Sequence, residues 1–384
     1  MIERSDDLLI CRISLREIHL PLKENFRISS GATSVRRILL LKLTDADGVS
    51  VWAECVAGER PNYSPETVDT AWLAITGWLA PRVLGRRFPA PEEVADGLER
   101  GVRGHRMAKA AVEMGVWALA AERAGMSLAR MIGGTRDHIA VGISLGIQAD
   151  ADVLVEKAST ALRDGYRKIK CKIEPGADIE YMAAVRDALG PAAPLMADAN
   201  SAYTLADAEH LARLDELDLL MIEQPLASDD LVRHAELQRR LRTPICLDES
   251  ITGLERAEDM LALGSGRIIN IKPGRVGGLT PAKAIHDLCA GRNVPVWCGG
   301  MLESGIGRAY NVALASLPNF TIPGDVSPSA RYWERDIVTP EWAMDKGLMA
   351  VPRDRPGLGV VVDVDRVDDL TVRERTLEER SDTR

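Results

Sequence analysis

The chain has 384 residues with a formal charge of −9; it is 46% hydrophobic and 27% charged, but only 4% aromatic. That is the balance of a soluble globular protein with a large aliphatic core, long enough for about two or three domains. An acidic chain without a basic stretch is a poor partner for nucleic acid or an anionic membrane, and no apolar run reaches the ~18 residues of a membrane span. The start, Met1 to Asp7, does not read as a secretory leader. The six cysteines show neither Cys-x-x-Cys nor a framework spacing, so they read as buried thiols of a reducing, cytoplasmic compartment.

Residues 1–135 mix strand and helix patterns and are expected to form an α+β capping domain. Leu8 to Leu22 alternates and ends at Pro21, while Arg37 to Leu43 and Val49 to Cys55 read as strands joined by a tight turn at Asp45-Ala46-Asp47-Gly48. Ser64-Pro65-Glu66 has the chemistry of a helix start, and His105 to Arg123 repeats apolar residues at helical spacing up to Gly125. Phe26–Ser34 and Glu54–Tyr63 read as polar loops, either plain surface connections or a lid.

From His138 the texture changes to short apolar runs, each followed by a polar or Gly-rich break and then, in most cases, a helical stretch. The eight runs are Ile139–Ile147, Lys168–Ile173, Leu195–Asn200, Leu219–Pro225, Pro244–Ser250, Arg267–Pro273, Pro295–Gly300 and Phe320–Asp325. Helices are expected at Asp178–Leu189, Leu205–Leu214 and Pro281–Ala290. Eight strand–helix alternations imply an α/β fold with a closed barrel of the TIM type over residues 136–340. A doubly wound open sheet is the rival, weakened because no Gly-x-Gly-x-x-Gly follows the first strand. Residues 341–384 form a last segment with Pro352, Pro356, Gly357 and Gly359 before a β-rich run, Val360–Val364, that could return to the cap; the charged stretch from Arg373 to Arg384 is expected to fray.

The barrel strands end in charges: Lys170 and Lys172, Asp198 and Asn200, Glu223, Asp248 and Glu249, then Lys272. From Lys172 to Lys272 these ends fall about 25 residues apart, one β/α unit each. Side chains alternate along a strand, so Lys170 and Lys172 share a face, as do Asp198 and Asn200. Three carboxylates on neighbouring strands repel one another unless a cation joins them, and all-oxygen ligation favours Mg²⁺ over Zn²⁺. Ordinary ion pairing at strand ends is the plainer reading of the same acids. Strands two and six lie opposite each other in an eight-stranded barrel, so Lys172 and Lys272 would flank a small carboxylate substrate. Two bases on opposite faces of the carbon next to a metal-bound carboxylate describe proton abstraction and return through an enediolate. A lysine at its ordinary pKa of about 10.4 is protonated near neutrality, and lowering it by about three units needs roughly 4 kcal/mol. Lys170 beside Lys172, and Arg275 three residues beyond Lys272, push in that direction.

At these residues the chain resembles the enolase superfamily in its muconate-lactonising branch, over nearly its whole length. Lys172-Ile173-Glu174-Pro175-Gly176, the run Lys272–Gly278 and the run Gly299–Gly307 resemble the N-succinylamino acid racemase/o-succinylbenzoate synthase group, as do Gly104–Ala111 and Glu54–Ala57. The resemblance implies a modified (β/α)7β barrel under an α+β cap built from the N-terminal region and the C-terminal segment. It implies Mg²⁺, with Mn²⁺ as a substitute, on Asp198, Glu223 and Asp248. It implies Lys172 and Lys272 as general acid/base residues, Lys170 tuning Lys172, and Asn200 and Glu249 behind the ligands. The cap loops, with Phe26 and Tyr63, would close over the substrate. Ser144, Gly300, Met301 and Glu303 would line its acyl or side-chain end. Related barrels commonly assemble through caps and outer helices, so a homo-oligomer is expected.

Racemisation of an N-acylamino acid needs both lysines as bases; Arg275 favours it by making neutral Lys272 more accessible. The o-succinylbenzoate synthase dehydration of menaquinone biosynthesis needs only Lys172 for proton transfer, and both activities on one chain stay open. A dipeptide epimerase or a muconate cycloisomerase-like enzyme is a further reading. Mandelate-type and sugar-acid dehydratases of the same fold use a late-barrel histidine, but no histidine falls at the end of strand seven, and His286 falls in the helix after strand six. A Schiff-base aldolase or a non-catalytic binding barrel are the readings of a different class.

Overall fold

Leu8–Ile28 and Gly31–Asp45 pair as a long antiparallel hairpin, Ser50–Cys55 adds to one edge, and Thr371–Glu378 from the far end of the chain adds to the other. The computed structural model describes residues 7–28 and 31–379. The turn at Asp45 is closed by its own side chain, which accepts the amides of Asp47 and Val49. Ile38, Leu39, Leu40 and Leu41 are all buried, so the second strand is covered on both faces. Helix Arg106–Arg123, buried along nearly its whole length, packs on the second and third strands and joins this sheet to the barrel.

The second unit contains seven parallel strands paired in chain order: Ile143–Leu145, Ile169–Lys172, Leu195–Asp198, Ile222–Glu223, Ile245–Leu247, Ile268–Ile271 and Val296–Cys298. Helices follow most strands, among them Ala151–Arg163, Ile179–Leu189, Leu231–Arg240, Leu254–Leu263, Leu279–Ala290 and Gly305–Ala315. The eighth run does not form a full strand. Isolated bridges from Phe320 to Val296 and from Gly324 to Val141 close the ring, supported by Gly142 N to Gly324 O at 2.7 Å and Asp325 N to Cys298 O at 2.9 Å. Pro323, between the two bridges, has no amide to donate and limits the pairing.

The barrel interior has its own apolar floor of Met196, Met221, Cys246, Ile268 and Trp297, distinct from the core between strands and outer helices. Each floor residue stands two positions before a residue of the next layer: Asp198, Glu223, Asp248, Asn270 and Gly299. The period of two along a strand therefore stacks charge directly on an apolar base.

Three expectations are corrected. Phe26–Ser34 is not a loop over most of its length, because Phe26 pairs with Thr33 and Arg27 with Ala32 as the end of the hairpin; Ser29 and Ser30 lie outside the described residues. The arm is fixed to the barrel by Ile147 N on Arg27 O at 3.1 Å and by Arg27 on Glu174 at 3.0 Å. Gly146 permits that contact, since a β-carbon there would meet Arg27 O at 2.6 Å. Second, the helix expected at Ser64 starts at Val68, because Thr67 and Thr70 form the capping box; Glu66 instead caps the helix at Arg106, accepting Met107 N at 2.9 Å and Ala108 N at 3.1 Å. Third, Thr371–Glu378 is an edge strand rather than a frayed tail, and Val361–Val362 pairs with Val338–Thr339 rather than with the first sheet. Outward charges such as Glu378, paired to Arg12 at 2.7 Å, suit such an edge. Residues 380–384 lie outside the described residues. Among the described residues no helix is long and apolar enough to cross a membrane.

Candidate active site

Strand alternation brings Lys170, Lys172, Asp198, Glu223, Asp248 and Lys272 to the mouth of the barrel, all of them buried. Lys172 Nζ lies 2.6 Å from Asp198 Oδ2 and 2.5 Å from Asn200 Oδ1. Lys170 Nζ lies 3.0 Å from both Asp198 Oδ2 and Glu223 Oε2. Lys272 Nζ lies 2.7 Å from Asp248 Oδ2, and Arg275 holds the other oxygen of that carboxylate. Asn200 donates to Glu249 at 2.8 Å, and Asn270 donates to Glu223 at 2.7 Å.

Tyr63 comes down from the cap into this cluster. Its hydroxyl donates to Asp248 Oδ1 at 3.0 Å and accepts from Lys272 at 3.1 Å, whose ammonium lies 4.5 Å from the ring centroid. Above these groups is a cavity of about 160 Å³. Lys172, Lys272 and Asn200 line it from the barrel, Phe26 and Tyr63 from the cap, and Gly300 and Met301 from the seventh loop. Gly299 makes room beneath: a β-carbon there would meet Asn270 Oδ1 at 2.4 Å and Lys272 Cε at 2.6 Å.

The two lysines differ electrostatically. Burial pulls Lys172 below its ordinary value, and Lys170 assists, against the opposing pull of Asp198. Burial also lowers Lys272, but Tyr63 and Glu223 outweigh it, so Lys272 stands above its ordinary value. Arg275, expected to act on Lys272, is instead committed to Asp248, to Ile251 O at 2.7 Å and to Asn270 O at 2.5 Å. Beneath them, burial would raise the Asp325 carboxyl, yet the ammonium groups of Lys168 and Lys170 hold it at about 2.

The remaining sequence-selected residues fall outside the cavity lining. Ser144 pairs in register with Lys170, and its buried hydroxyl has no hydrogen-bond partner among the described residues. Glu303 accepts from Asn311 at 2.8 Å and sits close to Arg308, behind Gly300. Sequence reading passed over Asn270, Lys168 and Asp325. Asn270 and Lys168 each stand two residues before a chosen lysine, so strand alternation already puts them on the same inner face. It also passed over Glu54, a cap carboxylate that accepts Ser304 Oγ at 2.6 Å and Gly307 N at 3.0 Å at the start of a barrel helix. Burial, reinforced by Glu303, raises Glu54 to about 7.

Asp198, Glu223 and Asp248 are fully buried oxygen donors, and one oxygen of Glu249 is buried without a hydrogen-bond partner among the described residues. Such a donor set fits a hard divalent cation. Among the described residues no three acidic, histidine or cysteine side chains close into a shell by themselves, since ammonium and guanidinium groups occupy these carboxylates.

Residues 12–133 match the mandelate racemase/muconate lactonizing enzyme N-terminal domain, and residues 153–367 match the enolase C-terminal domain-like family. The chain belongs to the enolase superfamily. Within it, the chain is 51% identical over 359 residues to an o-succinylbenzoate synthase of Geobacillus kaustophilus, covering 94% of this chain and 95% of that one. It is 46% identical over 359 residues to an N-succinylamino acid racemase of Amycolatopsis sp, covering 94% and 96%. The crystal structure of an enolase superfamily member from Listeria innocua superposes with a TM-score of 0.93 at 39% identity, covering 97% of this chain and all of that one. This enolase superfamily member is therefore an enzyme of the mandelate racemase/muconate lactonizing branch, close to both the synthase and the racemase subfamilies.

Proposed function

We propose that this enzyme removes the proton α to a substrate carboxylate, with Lys172 and Lys272 as acid/base residues, and that it racemises N-succinylamino acids. The observation that carries this reading is that both lysines, from the second and sixth barrel strands, line one cavity. Asp198, Glu223 and Asp248 would hold Mg²⁺, with Mn²⁺ as a substitute, and a bound dication neutralises charge that builds on the carboxylate as the proton leaves. Lys172 takes or returns the proton on one face of the α-carbon and Lys272 on the other. Lys170 keeps positive charge beside Lys172, Asn200 orients Lys172, and Tyr63 with Arg275 fixes Asp248. The arm at Phe26 and the loop at Gly300 and Met301 shield the reacting carbon from water and contact the acyl or side-chain end.

A second reading, o-succinylbenzoate synthase at the same site, is favoured by the tethering of Lys272. Held at 2.7 Å from Asp248 and 3.1 Å from Tyr63, Lys272 is placed to remain a cation while Lys172 alone moves the proton. Both reactions use the same groups, and one enzyme performing both is consistent with the geometry. The test is to assay one preparation with Mg²⁺ for loss of optical rotation of N-succinylamino acids and for spectrophotometric formation of o-succinylbenzoate. Racemisation that disappears in Lys272→Ala supports two bases; stereochemical scrambling that persists in that variant refutes them. A homo-oligomer acting in the cytoplasm on a small carboxylate completes the proposal.

A further inference from the structure

Lys168, Lys170 and Lys172 occupy alternate positions of one strand run and point into the barrel as a stack. The proposed chemistry uses the upper two and leaves Lys168 without a role. Lys168 is fully buried, with its ammonium 3.3 Å from the centroid of the Trp297 ring and 3.2 Å from Asp325 Oδ1. A buried ammonium is costly unless it is paired, so this cation needs its carboxylate. Asp325 comes from the run that closes the barrel, and its other oxygen lies 2.6 Å from Lys170. Lys170 is thus shared: Asp325 holds it from one side, and Asp198 and Glu223, each at 3.0 Å, hold it from the other. An ammonium resting on those two carboxylates competes with a dication for the same oxygens.

We propose that Asp325 is a positioning residue that draws Lys170 away from Asp198 and Glu223 and so frees their oxygens for the metal. The inference rests on the divalent-metal reading of the site. Without the Asp325 charge, two buried ammonium groups adjoin with no counter-ion between them, and Lys170 settles fully on Asp198 and Glu223. Removing Lys168 in the same molecule relieves the repulsion between the two ammonium groups but leaves Lys170 on Asp198 and Glu223. Lys168→Met retains an unbranched apolar side chain against Trp297 while deleting the charge.

The test is calorimetric titration of Mg²⁺ into the substrate-free full-length protein, with a thermal melt of each variant. Asp325→Asn is expected to weaken Mg²⁺ binding about tenfold or more. The double variant Asp325→Asn/Lys168→Met is expected to bind as weakly as Asp325→Asn, because no carboxylate then draws Lys170 away from Asp198 and Glu223. A double variant that binds like the unaltered protein, or an Asp325→Asn that binds normally, overturns the proposal. Lys168→Met alone leaves Asp325 to Lys170 and is expected to bind Mg²⁺ at least as tightly as the unaltered protein. Weaker binding by that variant overturns the proposal even if Asp325→Asn does not fold. An unaltered protein that takes up no Mg²⁺ removes the metal reading itself, and the positioning role with it.

Discussion

The hydroxyl of Tyr63, carried by the cap, donates to Asp248 at the end of the fifth barrel strand over 3.0 Å. One hydrogen bond therefore ties the part of the chain that covers the cavity to a carboxylate expected to hold the metal. Tyr63→Phe keeps the ring against Lys272 but deletes this bond together with the one the hydroxyl accepts from Lys272. Loss of a hydrogen bond to a charged partner costs about 1.5–3 kcal/mol, so kcat/KM should fall roughly ten- to a hundredfold with the circular dichroism unchanged. Steady-state kinetics unaltered by the change would show that the bond does not contribute to the reaction.

Gly299 is expected to tolerate no side chain. A methyl group there displaces Lys272 and Asn270, whose atoms stand at 2.6 Å and 2.4 Å from the position it would take. A displacement of about 1 Å in a catalytic base is worth on the order of a hundredfold in rate, so Gly299→Ala should lose activity out of proportion to its melting temperature. Parallel activity and melting measurements separate this from general unfolding.

Cap and barrel are also joined by Glu113, which accepts Leu279 N at 2.7 Å, Thr280 N at 2.8 Å and Trp117 Nε1 at 3.0 Å. Burial raises its carboxyl from the usual 4.5 to about 7, against these donors. The folded state then holds this proton more tightly than the unfolded chain does. Its contribution to stability is complete below about pH 4.5 and is lost as the pH rises through about 7, a change of roughly 3 kcal/mol across the window. Glu54, also raised to about 7, acts in the same direction. Glu113→Gln cannot ionise there, so urea unfolding of this variant between pH 5 and pH 8 should show a shallower loss of stability. An unchanged slope would contradict the assignment.

Metal uptake should register in stability before any substrate is added. Mg²⁺ at about a hundred times its dissociation constant stabilises the folded state by about 2.7 kcal/mol, and EDTA should reverse the resulting rise in melting temperature. Asp248→Asn should abolish most of that rise while leaving a folded protein. A melting temperature indifferent to Mg²⁺ in the unaltered enzyme would count against the ligand assignment.

Much of this architecture is legible in the sequence because a barrel strand repeats every two residues. That period places Lys170 with Lys172 and Asp198 with Asn200, and it also reaches Asn270 and Lys168, which stand one layer below the charged strand ends. The hairpin arm escapes such reading: Phe26–Ser34 is polar and Gly-rich, and Arg27 within it is held by Ile147 N and Glu174, over a hundred residues away. The same holds for Thr371–Glu378, whose dense charge reads as a solvated tail until Leu8–Ile28 supplies its partner. Glu54 and Glu113 find their donors at the starts of distant helices, and local patterning carries no signal for such pairs.

In the proposed mechanism two lysines serve two faces of one carbon atom. The most direct test is proton NMR in D₂O with Mg²⁺, following the α-hydrogen of each enantiomer of an N-succinylamino acid. The unaltered enzyme should wash out both signals, and Lys172→Ala and Lys272→Ala should each lose exchange of at least the enantiomer that faces the missing lysine. Exchange of both enantiomers that persists with both lysines replaced would contradict the account.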